Sequence, residues 1–315
     1  MAGDLVYIVF ALVLLFVGAE GLVRGSASLG LRAGLGRLTV GLTIVAIGTS
    51  SPELVVSVKA ALSQQGDIAV GNVIGSNTFN IAIILGLTAL LCPIPVQRQV
   101  IRIDAPIALG CALVLVLLLL DGALGRVEGA LLFAGMLAYV GMNVVLAQRS
   151  AASMAGAEEE EAVPGFSRHW GVDVALIAVG LAVLVMGSRL LVDHSVSLAR
   201  DLGIGEAVIG LTIVAAGTSM PELATSLVAA FRRQVDIAIG NVIGSNVFNV
   251  LGILGIASLV SPLDAPGVSM LDSLVMLAFT VLLIPLLYTG RMLHRIEGVL
   301  LLALYGVYLF VLWPA

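Results

Sequence analysis

Charge is scarce in this chain. Only 11% of its 315 residues are Asp, Glu, Lys or Arg, against 60% hydrophobic, and its mean hydropathy is +1.14. A soluble domain cannot hide so much apolar side chain, so the expected solvent is a lipid bilayer. The formal net charge of −5 says little about partners, because most charges fall in loops. No basic, aromatic-interleaved patch points to nucleic acid, and no required protein partner is evident. Cysteine is nearly absent: Cys92 and Cys111 form no CxxC pair, so neither a disulfide framework nor a zinc site is indicated. His169, His194 and His294 fall in loops or at the ends of apolar segments. There is no nucleophile–base set and no phosphate-binding loop, so neither an enzyme nor a bound cofactor is expected. The start, Met1 to Asp4, lacks the basic region of a signal peptide, and Leu5 onward reads as a retained first span.

Long apolar runs are abundant. A transmembrane helix needs about 20 mostly apolar residues. Candidates lie at about 5–27, 39–64, 68–91, 104–121, 126–147, 171–193, 208–231, 237–260, 269–289 and 294–313. They divide five and five around a polar stretch that contains Glu158 to Glu161, which reads as a solvated acidic connection. The two groups are copies. At an offset of 169 residues Asp4 aligns with Asp173, Asp67 with Asp236, Gly71–Asn80 with Gly240–Asn249, and Arg126-Val-Glu-Gly129 with Arg295-Ile-Glu-Gly298. Five spans is an odd number, so the second copy must enter the membrane from the opposite side. The expected organisation is an all-α membrane protein of ten helices in two inverted-topology repeats: 1–147, an acidic cytoplasmic linker 148–170, and 171–315. Only Lys59, Arg126, Arg189 and Arg200 of the 15 basic residues fall on the side facing away from the linker. The linker side is therefore expected to be cytoplasmic, with both termini outside.

Two duplicated motifs carry the chemistry. The first is GLTIVAIGTSSPEL at Gly41–Leu54, matched by GLTIVAAGTSMPEL at Gly210–Leu223. Pro52 and Pro221 lack an N–H and clash with the carbonyl four residues back, so the helices are expected to open near Gly48 and Gly217. In lipid, such breaks survive only inside protein or beside a cavity. Helical spacing puts Thr49, Ser50 and Glu53 on one side, as it does Thr218, Ser219 and Glu222. A charge at the bilayer centre costs about 2.5–3.5 kcal/mol on insertion scales. With no basic residue at that depth in the same spans, the two glutamates are either protonated or separated by cations. The second motif is GNVIGSNTFN, residues 71–80, echoed by GNVIGSNVFN, residues 240–249. Asn72, Ser76 and Asn80 form one polar stripe, and Asn241, Ser245 and Asn249 another. These supply neutral oxygens of the kind Ca²⁺ and Na⁺ take, with none of the thiolate or imidazole expected for zinc or copper. Gly71 with Gly75, and Gly240 with Gly244, would let backbones approach closely. Glu20 and Arg24 align with Arg189 and Asp193, and each pair could form an i, i+4 salt bridge.

Paired G-T-S-x-P-E and G-N-x-x-G-S-N-x-x-N motifs in five-helix halves resemble the sodium/calcium exchanger family of the cation/calcium antiporter superfamily, prokaryotic type. The resemblance covers essentially the whole chain. It implies ion sites formed by spans 2, 3, 7 and 8, with spans 1 and 6 sliding across that core. It also implies that Glu53 and Glu222 bind Ca²⁺ with the carbonyls or hydroxyls of Thr49 and Thr218. Na⁺ sites would use the carbonyls of Ala46 and Ala215, with Ser50, Ser76, Ser219 and Ser245 as further ligands. Asn80 and Asn249 would line the middle. Some relatives, including the potassium-dependent branch, have Asp at one of these last two positions; both are Asn here, which disfavours potassium co-transport. The expected activity is electrogenic Ca²⁺/Na⁺ antiport in the plasma (inner) membrane, extruding Ca²⁺. H⁺/Ca²⁺ antiport, a Ca²⁺-permeable channel and a membrane scaffold that stores Ca²⁺ are the competing readings.

Overall fold

The computed structural model describes residues 2–154, 169–202 and 215–312. They are almost entirely helical. Helix α1 is Ala2–Arg32, α2 Arg37–Thr49, α3 Ser51–Leu62, α4 Gly66–Leu91, α5 Val100–Asp121 and α6 Arg126–Met154. After the acidic run, which lies outside the described residues, come α7 Trp170–Asp201, the single turn α8 Ala215–Gly217, α9 Met220–Phe231, α10 Val235–Val260, α11 Met270–Tyr288 and α12 Arg295–Leu312. Among the described residues eight helices are long and apolar enough to cross a membrane, and α2 with α3, bent by 46°, makes a ninth. The expected segment 208–231 falls partly outside the described residues.

Packing follows burial. The membrane-length windows of α4 and α10 are 78% and 83% buried, so these two helices are the centre; that of α12 is 11% buried and faces outward. Around them α12 lies on α4, α6 on α10, α11 on α5, and α2 on α10. Between α4 and α5, Ile94–Pro95 pairs antiparallel with Met292–Leu293; Ala123–Leu124 pairs likewise with Leu263–Asp264. These two-residue ladders tie loops from one half of the chain to loops from the other.

The longest helices, α1 and α7, form a separate antiparallel pair. Asp4 bonds His194 Nδ1 at 3.0 Å near one end, and Arg32 bonds Asp173 at 2.8 Å near the other. Their backbones nearly touch: a Cβ on Gly18 would sit 2.8 Å from Gly180 O, and one on Gly180 would sit 2.7 Å from Leu22 N. Their outer faces are apolar and exposed, as at Leu5, Phe10, Phe16 and Val179. Glu20 pairs with Arg24 as its spacing predicts, and also with Arg232 beyond α9 at 2.8 Å. Among the described residues Arg189 and Asp193 form no such pair, so the aligned positions are used differently in the two halves.

Candidate functional site

Each motif helix breaks just before its proline. At Ser50 (φ −80°, ψ 9°) and Ser219 (φ −87°, ψ 7°) the backbone leaves helical geometry, and Pro52 and Pro221 sit in the first turn of α3 and α9. In the first half the helix runs on to Thr49, so the opening comes at Ser50, two residues after Gly48; in the second half α8 ends at Gly217, as expected, and Thr218–Ser219 form the turn. A proline costs little in a first turn, where its missing N–H has no intrahelical partner to lose. The carbonyl displaced by Pro221, that of Gly217, accepts instead from Ser188 Oγ of α7 at 2.5 Å.

The breaks turn Ser50 and Ser219 across the molecule. Ser50 Oγ donates to Glu222 Oε1 at 2.8 Å, and Ser219 Oγ donates to Glu53 Oε1 at 3.1 Å. Each half's serine therefore holds the other half's glutamate, and the two carboxylates are brought together in the interior, both only 1% exposed. Thr49 Oγ1 donates to Asn241 Oδ1 at 3.1 Å, and Ala46 O accepts the Ser50 N–H at 3.0 Å. Ala215 opens α8, and the residues ahead of it lie outside those described.

Helices α4 and α10 cross at the second motif. Asn77 Nδ2 donates to Asn246 O and Asn246 Nδ2 to Asn77 O, both at 3.2 Å. Asn80 Nδ2 donates to Asn246 Oδ1 and Asn249 Nδ2 to Asn77 Oδ1, both at 2.9 Å. Immediately after, at Asn80–Leu85 and Asn249–Leu254, each helix widens into a π-helical turn, a feature frequent at functional sites. The expected stripe divides in two. The Asn72 and Asn241 amides are committed to their own half: each donates to the backbone carbonyl of that half's glutamate and to the hydroxyl of Ser57 or Ser226. Ser76, Asn80, Ser245 and Asn249 keep free oxygens. Gly240 and Gly244 take the backbone of α2 against them; the segment that aligns with that part of α2 in the second half lies outside the described residues.

Seven buried side-chain oxygens of the predicted set have no hydrogen-bond partner among the described residues: Glu53 Oε2, Glu222 Oε2, Ser76 Oγ, Ser245 Oγ, Thr218 Oγ1, Asn80 Oδ1 and Asn249 Oδ1. A buried polar group left unsatisfied costs about 1–3 kcal/mol. Seven together approach the whole net stability of a domain, about 5–15 kcal/mol, and each is an oxygen able to take a hydrogen bond or to coordinate a cation. Two carboxylates with neutral oxygens suit Ca²⁺ or Na⁺; among the described residues no cluster of three or more His, Cys, Asp or Glu offers a transition-metal site.

The chain matches the family model for the sodium/calcium exchanger protein over residues 4–145 and 172–313. It belongs to the sodium/calcium exchanger family. The family comprises membrane antiporters, not enzymes. Sodium/calcium exchanger MaX1 of Methanosarcina acetivorans is 30% identical over 344 residues, covering 97% of each chain. Inner membrane protein YrbG of Escherichia coli is 37% identical over 257 residues, covering 81% of this chain and 79% of that one. The solved structure of the sodium-calcium exchanger NCX_Mj soaked with zero Na⁺ and Ca²⁺ superposes with a TM-score of 0.81 at 30% identity, over 98% of this chain and 99% of the other. This family member is accordingly an integral membrane protein. Sequence reasoning missed Asn77, Asn246, Ser57, Ser226 and Ser188 as parts of the site's framework. Asn77 and Asn246 stand inside the quoted motif, but their partners lie about half the chain away.

Proposed function

We propose that this protein exchanges Ca²⁺ for Na⁺ across the membrane by alternating access. The observation that carries the reading is the set of buried oxygens without partners around Glu53 and Glu222. In this reading Ca²⁺ lies between the two glutamates, with oxygens of Thr49 and Thr218 completing its shell. Na⁺ uses the carbonyls of Ala46 and Ala215 and the hydroxyls of Ser50, Ser76, Ser219 and Ser245, and Asn80 and Asn249 line the centre. One Ca²⁺ balances the two carboxylates. More than two Na⁺ leave net positive charge on the return step, so exchange is electrogenic. The empty, doubly negative site resists crossing the apolar barrier, and this couples the two fluxes. The architecture that would carry out this exchange is ten helices in two inverted repeats, 1–147 and 171–315, joined by the linker 148–170. The α1–α7 pair slides over the core. Both termini lie outside the inner membrane, the linker is cytoplasmic, and Ca²⁺ is extruded. The exchanger family, MaX1 and NCX_Mj support Na⁺ as the counter-ion.

The test is ⁴⁵Ca uptake into Na⁺-loaded proteoliposomes, native chain against Glu222→Gln. Native protein is expected to take up Ca²⁺ only with internal Na⁺, and the variant to stay at background. Uptake driven by a pH gradient without Na⁺ would assign the coupling to protons. Flux without any counter-ion would make the protein a channel.

A further inference from the structure

We propose that Asn77 and Asn246 are positioning residues that set the amide polarity of Asn80 and Asn249, so that both offer a carbonyl oxygen, never an NH₂, to the transported cation. The proposal rests on the reading of the site as a Ca²⁺/Na⁺ site.

A backbone carbonyl can only accept a hydrogen bond. Asn77 Nδ2 lies 3.2 Å from Asn246 O, and Asn246 Nδ2 lies 3.2 Å from Asn77 O, so the main chain of each helix fixes the NH₂ end of the other's amide. The remaining end of each amide, Oδ1, is again purely an acceptor. Asn77 Oδ1 stands 2.9 Å from the Asn249 amide and Asn246 Oδ1 stands 2.9 Å from that of Asn80. Asn249 and Asn80 must therefore present Nδ2 to these contacts. What each has left is its Oδ1, and both of these oxygens are buried and unpartnered among the described residues. Turning either amide over would set carbonyl oxygen against carbonyl oxygen and aim two N–H donors where a cation is to bind.

The device answers a problem particular to asparagine. An amide has a donor end and an acceptor end of nearly equal size, so an asparagine ligand attracts a cation in one orientation and repels it in the other. A carboxylate has no such ambiguity, since both its oxygens accept. The reciprocal clamp removes the wrong orientation in both halves at once, at the point where α4 and α10 cross.

The carboxylate comparison supplies the test. Purified native protein, Asn77→Ala, Asn249→Asp and the double variant are compared by half-saturating Ca²⁺ for ⁴⁵Ca uptake into Na⁺-loaded proteoliposomes. The Ca²⁺-induced rise in melting temperature in detergent is measured alongside. Asn77→Ala alone is expected to raise half-saturating Ca²⁺ by about tenfold or more, equivalent to about 1.4 kcal/mol. In the Asn249→Asp background either rotamer offers an oxygen and the Asn77 Oδ1 faces another acceptor, so the same substitution is expected not to raise it. Equal losses in the two backgrounds would mean that Asn77 merely holds helices together, and no loss in the native background would mean that it does nothing; either overturns the proposal. If the native chain shows no Ca²⁺-dependent stabilisation at all, the reading of the site falls and takes the proposal with it, an outcome distinct from the other two.

Discussion

Glu53 and Glu222 illustrate how little of a residue's role is local. Each is an acid in the first turn after a proline, 1% exposed, with one oxygen held by a serine of the opposite half and one without a partner. Neutralising one of them should separate binding from folding. Glu53→Gln keeps an oxygen that can accept from Ser219 but withdraws a charge from the proposed cation. Its melting temperature without Na⁺ or Ca²⁺ is expected to match or exceed the native value, because an uncompensated buried charge has been removed. The stabilisation that saturating Ca²⁺ gives native protein, about 2.7 kcal/mol at a hundredfold excess over Kd, is expected to vanish. A thermal melt in detergent with and without Ca²⁺ reads both. The acids and hydroxyls were legible in the sequence from their helical spacing. The exchange of partners between halves was not, since Ser50 and Glu222 are 172 residues apart.

At the scale of elements, the α1–α7 pair depends on backbone proximity. Gly180 leaves no room for a side chain: a Cβ there meets Leu22 N at 2.7 Å and Gly18 O at 2.8 Å, both main-chain atoms that cannot rotate away. Gly180→Val is expected to lower stability by about 1–3 kcal/mol through overpacking and to slow exchange, as the pair is proposed to move as one body. Gly141 of α6 has nothing within 4 Å among the described residues, so Gly141→Ala serves as the control and should stay within about 0.5 kcal/mol of native. Melting temperature and ⁴⁵Ca exchange rate, measured on the same preparations, decide. The sequence marked the positions of these helices well, because about 20 apolar residues in lipid leave few alternatives to a helix. It marked their ends less well. Helix α1 continues to Arg32 and α6 to Met154, past the apolar stretches, because a helix already formed extends one hydrogen bond per added residue. It placed the break of the second half at Gly217, where α8 ends, and that of the first half two residues early, since there the helix runs on to Thr49 before the new one begins with Pro52 in its first turn.

For the whole molecule, the proposed exchange of one Ca²⁺ for more than two Na⁺ has an electrical consequence. Each cycle of Ca²⁺ uptake into Na⁺-loaded vesicles would export net positive charge. Uptake is expected to accelerate when the interior is clamped positive and slow when it is clamped negative. One net charge over 100 mV is worth about 2.3 kcal/mol. Uptake indifferent to a K⁺–valinomycin clamp would show electroneutral exchange instead. Taken by itself, the sequence determined the solvent, the helical class, the repeated motifs and the residue types able to meet a cation. Each of these follows from composition or from spacing along a single helix. Only the tertiary structure decided which serine holds which glutamate, that Asn72 and Asn241 bond the glutamate carbonyl and a serine of their own half, and that Asn77 and Asn246 meet Asn249 and Asn80 across the halves. Those outcomes depend on which oxygens meet when the broken motif helices and the α4–α10 crossing pack together, and a hydrogen bond between helices has no period in the sequence from which to read it.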